Sequence, residues 1–249
     1  MDFYRGVCGG VSSVLELGVG SGRIAAALAR DGVRVVGVER DEDVVRLGRR
    51  LHPSPRIEWI VGDMRDVQLG RRFERILLPY NGLFTLATDD DVHACFENAA
   101  RHLTDDGYFV FDFWVADPFH EHGEADPDGG DDLDERDGGG DGDGDGDGGD
   151  EPVAEIRYEG RDYDVYEATR WDRAAQRVDA TYRFVPRRGG ETLRSEVMSR
   201  YVLTKQLEPL LHAAGLEPLV RHGDFDQSAW DEDCERMIVT AQLRRPDRA

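Results

Sequence analysis

Residues 14–23 read VLELGVGSGR, an apolar run that meets an acid and then three glycines at alternate positions. The run has the length and composition of a buried strand, and the glycines after it permit the positive φ angles of a tight turn into a helix. In the dinucleotide-binding pattern G-x-G-x-x-G, the third glycine lets that helix pack closely while its N-terminus faces a pyrophosphate. Here the glycines are Gly18, Gly20 and Gly22, and Arg23 stands where that pattern needs glycine. Glu16 lies at the end of the strand, so a carboxylate points toward the ligand crevice and repels a pyrophosphate. A ligand carrying an ammonium group is attracted instead.

Outward from this turn, SVLELG (13–18), VRVVGVE (33–39), IEWIVGD (57–63), FERILLPY (73–80) and GYFVFDFWV (107–115) are strand-length runs rich in Val, Ile, Phe and Tyr. The stretches between them suit helices with one buried stripe. Asp41 can cap a helix carrying Val44, Val45, Leu47 and Leu51, and Thr88 or Asp89 one carrying Val92, Cys95, Phe96, Ala99 and Leu103, which DDG closes before the next strand. This βαβ alternation predicts an α/β fold whose parallel sheet is covered on both faces, with residues 1–116 as its core.

After Asp117 the character changes. Residues 117–151 hold 16 acids against a single Arg, so most of the net charge of −21 sits there. With almost no apolar residues the segment cannot offset the entropy of ordering itself, and residues 117–152 are expected to form an acidic Gly/Asp-rich disordered loop. Its G-D alternation invites a calcium loop, but counting twelve positions from Asp141 or Asp143 reaches Pro152 or Ala154 rather than the glutamate such a loop needs. His120 and His122 lack a rigid setting for a metal, and no metal site is expected. Residues 153–203 then alternate at period two, which predicts three or four antiparallel strands inserted after the core. A helix from KQLEPLLHAAGL and two last strands, LEPLVRHG and ERMIVTAQL, complete the core over residues 204–249. Pro209 suggests that this helix starts later than Thr204.

Outside the acidic segment the charge is nearly balanced and no basic face is evident, which argues against a nucleic-acid partner. No run approaches the roughly 20 apolar residues of a membrane span, and a cytoplasmic location is expected. Cys8, Cys95 and Cys234 are odd in number and widely spaced, which suits buried thiols better than disulfides or zinc.

With Glu16, Gly18, Gly20 and Gly22 the chain resembles the class I S-adenosylmethionine-dependent methyltransferases, whose first motif is an acid followed by G-x-G-x-G. The resemblance continues at Glu39, where the family binds ribose hydroxyls, and in GDMRD, where Asp63 and Met64 match the contact with adenine. LLPYNGLFTL resembles the fourth motif of the small-molecule branch, in which P-Y-N follows the fourth strand. The resemblance implies a Rossmann-like, mostly parallel seven-stranded sheet with an inserted antiparallel sheet, and S-adenosyl-L-methionine as cofactor. The cofactor-binding set it implies is Tyr4, Arg5, Glu16, Gly18, Gly20, Gly22, Arg23, Glu39, Arg40, Asp63, Met64, Pro79, Tyr80 and Phe84.

Aromatic rings near a sulfonium are favourable, so Tyr80 and Phe84 face the methyl group or pack the core. Tyr80 and Asn81 are the catalytic candidates; Asn81 orients cofactor or acceptor, or else caps a turn. The acceptor is expected to be a small molecule methylated on N or O. The inserted strands are expected to roof its pocket, with Arg170, Trp171, Tyr182, Arg200 and Tyr201 as candidate contacts, and a monomer or homodimer is expected. Fewer residues precede the first motif than in related enzymes, and DFYRG resembles the tail of their longer lid. Two rivals share parts of the site: a cofactor-binding but inactive regulatory protein, and an NAD(P)-dependent oxidoreductase, which Arg23 and Glu16 disfavour.

Overall fold

The computed structural model describes residues 1–122 and 151–245. The acidic stretch 123–150, expected as a loop, lies outside them. The chain divides into two units, residues 1–116 with 201–249, and residues 117–200.

The first unit is built on a seven-stranded sheet in the order β10-β11-β5-β4-β1-β2-β3. Its strands are β1 (Ser13–Leu17), β2 (Arg34–Glu39), β3 (Ile57–Val61), β4 (Phe73–Leu78), β5 (Leu103–Trp114), β10 (Leu216–His222) and β11 (Arg236–Leu243). The pairs among β1 to β5 are parallel, while β11 runs antiparallel to both β5 and β10. The chain winds one way from β1 to β3 and the other way from β4, so the sheet reverses between β1 and β4. At such a reversal the loops at the strands' carboxyl ends part and leave a crevice.

Helices α1 (Asp2–Val7), α2 (Arg23–Arg30), α3 (Glu42–Leu51), α4 (Asp89–His102) and α6 (Thr204–Ala213) belong to the same unit. The expected caps form. Asp41 Oδ1 accepts from the backbone N–H groups of Asp43 and Val44 at 2.8 and 3.2 Å, and Thr88 Oγ1 accepts from that of Asp91 at 3.1 Å. Residues 24–29 of α2 are all buried, and Phe96 on α4 packs its ring 5.7 Å from Phe109 and 5.4 Å from Phe111 on β5. No helix among the described residues is long and apolar enough to cross a membrane.

Three local expectations are revised. β5 begins at Leu103, before the DDG expected to separate helix from strand, because the β4–β5 pairing is irregular there and passes from Phe73↔Leu103 to Arg75↔Tyr108. Helix α6 starts at Thr204 despite Pro209: Gln206 Oε1 accepts the N–H of Leu203 at 2.8 Å, which secures the helix start, and Pro209 is held inside the helix. Cys8 and Cys95 are buried thiols, but Cys234 is only half-buried.

The second unit opens with α5 (Asp117–His122), a short helix at the start of the segment expected to be loop. Its sheet has four antiparallel strands in sequential order, β6 (Ala154–Tyr158), β7 (Arg161–Asp172), β8 (Arg177–Pro186) and β9 (Leu193–Arg200). The two-residue turn between β6 and β7 places Glu159 and Gly160 at φ of 49° and 78°, the left-handed pair that suits the twist of a hairpin.

Candidate active site

A cavity of about 420 Å³ opens at the carboxyl ends of β1, β2, β3 and β4. Gly18 to Gly22 form its floor, and two of these glycines serve different ends. At Gly20, φ is 54° and nothing lies within 4 Å of where a Cβ would project, so the backbone is open to a ligand. At Gly22, φ is 87° and a Cβ would come within 2.3 Å of the Trp59 ring, so the start of α2 can sit against that indole only without a side chain.

Glu16 is buried at the cavity wall, and its Oε2 has no hydrogen-bond partner. Burial pushes its pKa up from 4.5 to about 8, partly offset by the N–H of Ala25 and by the charge of Arg23. A buried carboxylate oxygen left without a donor is costly unless a ligand supplies one. Glu39, at the end of β2, accepts from the N–H of Gly20 with Oε2 and from that of Asp41 with Oε1, both at 3.1 Å. It thereby ties the glycine turn to the start of α3, and each oxygen keeps a lone pair for another donor.

After β3 the wall continues through Gly62, Asp63, Met64 and Arg65. Asp63 is held well below the usual carboxylate range by the Arg65 side chain. After β4 comes Tyr80, whose ring is 41% exposed and lies under the guanidinium of Arg23, 4.8 Å from its centroid. Tyr80 and Asn81 both have left-handed backbones, with φ of 55° and 58°. That strain is held by two side chain to backbone bonds: Asp112 Oδ1 accepts the N–H of Tyr80 at 2.9 Å, and Asn81 Oδ1 accepts that of Trp114 at 2.8 Å.

Of the sequence-predicted cofactor residues, Glu16, Gly18, Gly20, Gly22, Arg23, Glu39, Arg40, Asp63, Met64, Pro79 and Tyr80 share this wall. Four other candidates are placed elsewhere. Arg5 is turned to the surface, where Nε and Nη2 donate to Asp31 at 2.5 and 2.7 Å. Tyr4 is buried, with its hydroxyl donating to Asp112. Phe84 is buried against Phe113, which is the packing alternative for this ring. Asn81 braces the turn after β4 and is not on the wall. Sequence reasoning missed Arg65 and Asp91, which do line it. Arg65 stands next to Met64 in GDMRD, and that adjacency was the available signal.

The acceptor candidates do not share one face. In the register of the four-stranded sheet Trp171 lies opposite Val178, and Tyr182 opposite Glu167, so Trp171 and Tyr182 point to one side. Arg170 lies opposite Asp179, and Arg200 opposite Arg177, which places both arginines on the other side. Tyr201 falls in the first unit.

Residues 14–107 match the family described as "Methyltransferase domain". The match spans the four strands whose ends carry the cavity, together with the acid, glycine turn and second acid that shape it. Over this segment the chain is similar to a methyltransferase domain. Among its relatives, a dTDP-3-amino-3,6-dideoxy-alpha-D-glucopyranose N,N-dimethyltransferase of Streptomyces fradiae is 32% identical over 103 residues, 41% of this chain and 40% of that protein. The dTDP-3-amino-3,4,6-trideoxy-alpha-D-glucopyranose N,N-dimethyltransferase of Streptomyces venezuelae is 28% identical over 45% of this chain and 47% of its own length. The matches thus span less than half the length of either curated relative. Among solved structures, the CcbJ methyltransferase from Streptomyces caelestis superposes with a TM-score of 0.75 at 24% identity, covering 98% of this chain and 87% of that one. The segment similar to a methyltransferase domain includes the glycine turn, and the features at the cavity fit S-adenosyl-L-methionine: an orphaned buried carboxylate oxygen for an ammonium and an open backbone at Gly20.

Proposed function

We propose that the chain transfers a methyl group from S-adenosyl-L-methionine to a nitrogen of a small-molecule acceptor. The observation that carries the reading is the partnerless Oε2 of Glu16, buried at the wall of the cavity that the glycine turn floors. Glu16 would take the cofactor's ammonium, with Arg23 nearby to meet the carboxylate of the same amino-acid end. Glu39 would accept from the ribose hydroxyls, and the Asp63–Met64 segment would receive the adenine.

When bound, S-adenosyl-L-methionine supplies an already activated methyl on a sulfonium, so the protein's work is alignment. The half-exposed ring of Tyr80, fixed by Asp112 through its backbone, offers an aromatic edge of the cavity to a cationic centre. No histidine or lysine is among the described residues of the wall. An amine that arrives neutral needs no base there, whereas an alcohol does, which favours N over O. The amino-sugar N,N-dimethyltransferases among the relatives support the same acceptor chemistry.

The test is transfer from methyl-labelled cofactor to a panel of amines, alcohols and carboxylic acids, with amino sugars among the amines. Label in amines and not in alcohols is the expected result. Tight cofactor binding with no transfer to any member of the panel supports the inactive regulatory reading instead.

A further inference from the structure

The loop after β3 is fastened to α4 at three points along one face of that helix. Arg65 Nη1 donates to Asp91 Oδ1 at 2.5 Å, Asn98 Nδ2 donates to the carbonyl of Met64 at 2.9 Å, and His102 Nε2 accepts the N–H of Leu69 at 3.2 Å. Positions 91, 98 and 102 are seven and four apart, so the three side chains rise from one helical stripe. His102 is fixed in turn: its Nδ1 lies 2.8 Å from the Asn98 carbonyl, which makes Nδ1 the protonated nitrogen while Nε2 accepts.

The bond at Asp91 differs from the other two because it reaches a side chain on the cavity wall. Arg65 clasps Asp63 with a fork, Nε to Oδ1 at 2.9 Å and Nη2 to Oδ2 at 2.7 Å, while its own N–H adds a third bond to Oδ1 at 2.9 Å. Both carboxylate oxygens are therefore held in the plane of the guanidinium, and Asp91 holds the guanidinium from the far side. Asp63, Arg65 and Asp91 all line the cavity. A short carboxylate without these bonds turns freely about two side-chain torsions; here its plane and its ionised state are fixed before any ligand arrives.

We propose that Arg65, anchored by Asp91, is the positioning residue that makes this end of the cavity select a 6-aminopurine over a 6-oxopurine. The inference rests on the proposed reading in which the Asp63–Met64 segment receives the cofactor's adenine. An acceptor-only carboxylate held in one orientation takes a hydrogen from an exocyclic amine and faces a 6-oxo group lone pair to lone pair. A site built to hydrogen-bond one group rejects the analogue that lacks it more strongly than shape alone can. A carboxylate free to rotate swings away from the 6-oxo group and discriminates less.

The experiment is competition by S-adenosylhomocysteine and by S-inosylhomocysteine against labelled S-adenosylmethionine on the full chain, for the unaltered protein and for Asp63→Asn, Arg65→Gln, Arg65→Lys and Asp91→Asn. The preference for the amino compound is expected to fall about tenfold in Arg65→Gln, to stay low in Arg65→Lys, which keeps the charge without the fork, and to fall by a smaller factor in Asp91→Asn. A merely structural role weakens both ligands alike and leaves their ratio unchanged. Should Arg65→Gln fail to fold, the Asp91→Asn ratio decides. Lost preference in Asp63→Asn with preference retained in the Arg65 and Asp91 variants overturns the role of Arg65 alone. Preference retained in Asp63→Asn overturns the adenine assignment, and the inference with it.

Discussion

Affinity for S-adenosylmethionine is expected to fall about fiftyfold when the pH is lowered from about 8 to about 6, and this dependence is expected to vanish in Glu16→Gln. The sign follows from the burial of Glu16. Its carboxyl group titrates near 8 in the free protein, so below that pH the site holds a proton that an incoming ammonium must displace. Each pH unit below the pKa then costs about tenfold, or about 1.4 kcal/mol. Calorimetry in buffers of differing ionisation enthalpy reads the same event as proton release approaching one per ligand near neutral pH. Glu16 also sets the stability of the free chain. Because its folded pKa lies above the unfolded 4.5, the folded state binds the extra proton between about 4.5 and about 8, and stability contributed by this group declines as pH rises through that window. An ammonium at Oε2 reverses the decline, so the cofactor's thermal stabilisation should grow toward pH 8. A flat profile in the unaltered protein would falsify the role given to Glu16.

Glu39→Ala is expected to weaken the same binding about a hundredfold, or about 2.7 kcal/mol. Two effects add. The substitution removes the acceptor for the ribose, and it also releases the N–H groups of Gly20 and Asp41, so the glycine turn and the start of α3 lose their common tie. Hydrogen bonds to a charged group are each worth roughly 1.5–3 kcal/mol, which makes a loss of this size the natural expectation. Titration calorimetry on the variant checks it, with the unfolding temperature of the free chain measured in parallel. Affinity within a factor of about three of the unaltered protein would remove Glu39 from the site.

The residues that could be read from the sequence are those whose position follows from a strand's end. A run that stops at Leu17, Glu39, Val61 or Leu78 puts its last residues and those that follow at one edge of the sheet, whatever the rest of the chain does. Glu16, the glycines, Glu39 and Asp63 were found that way. Direction beyond the strand end was less accessible. After β4 two successive non-glycine residues, Tyr80 and Asn81, take left-handed backbones, a choice secured by Asp112 and Trp114 more than thirty residues away. That turn leaves Tyr80 on the cavity, while Asn81 braces the chain and Phe84 packs inward. Arg65 was hidden for a similar reason. Its partner Asp91 is 26 residues along, on a helix whose packing no local pattern reveals. The start of β5 was missed because Leu103 pairs across an irregular register with Phe73. Among the acceptor candidates, period-two alternation was legible, but the register that sets Tyr182 on the face of Trp171 and Arg200 on the face of Arg170 is a property of three strands together.

The most direct test of the account is a crystal structure of the full chain grown with S-adenosylhomocysteine. The account predicts the amino group within roughly 3 Å of Glu16 Oε2, the ribose hydroxyls on Glu39, and the purine against Asp63 and Met64. A ligand bound elsewhere on the chain, or bound in the cavity with Glu16 Oε2 still lacking a donor, contradicts it.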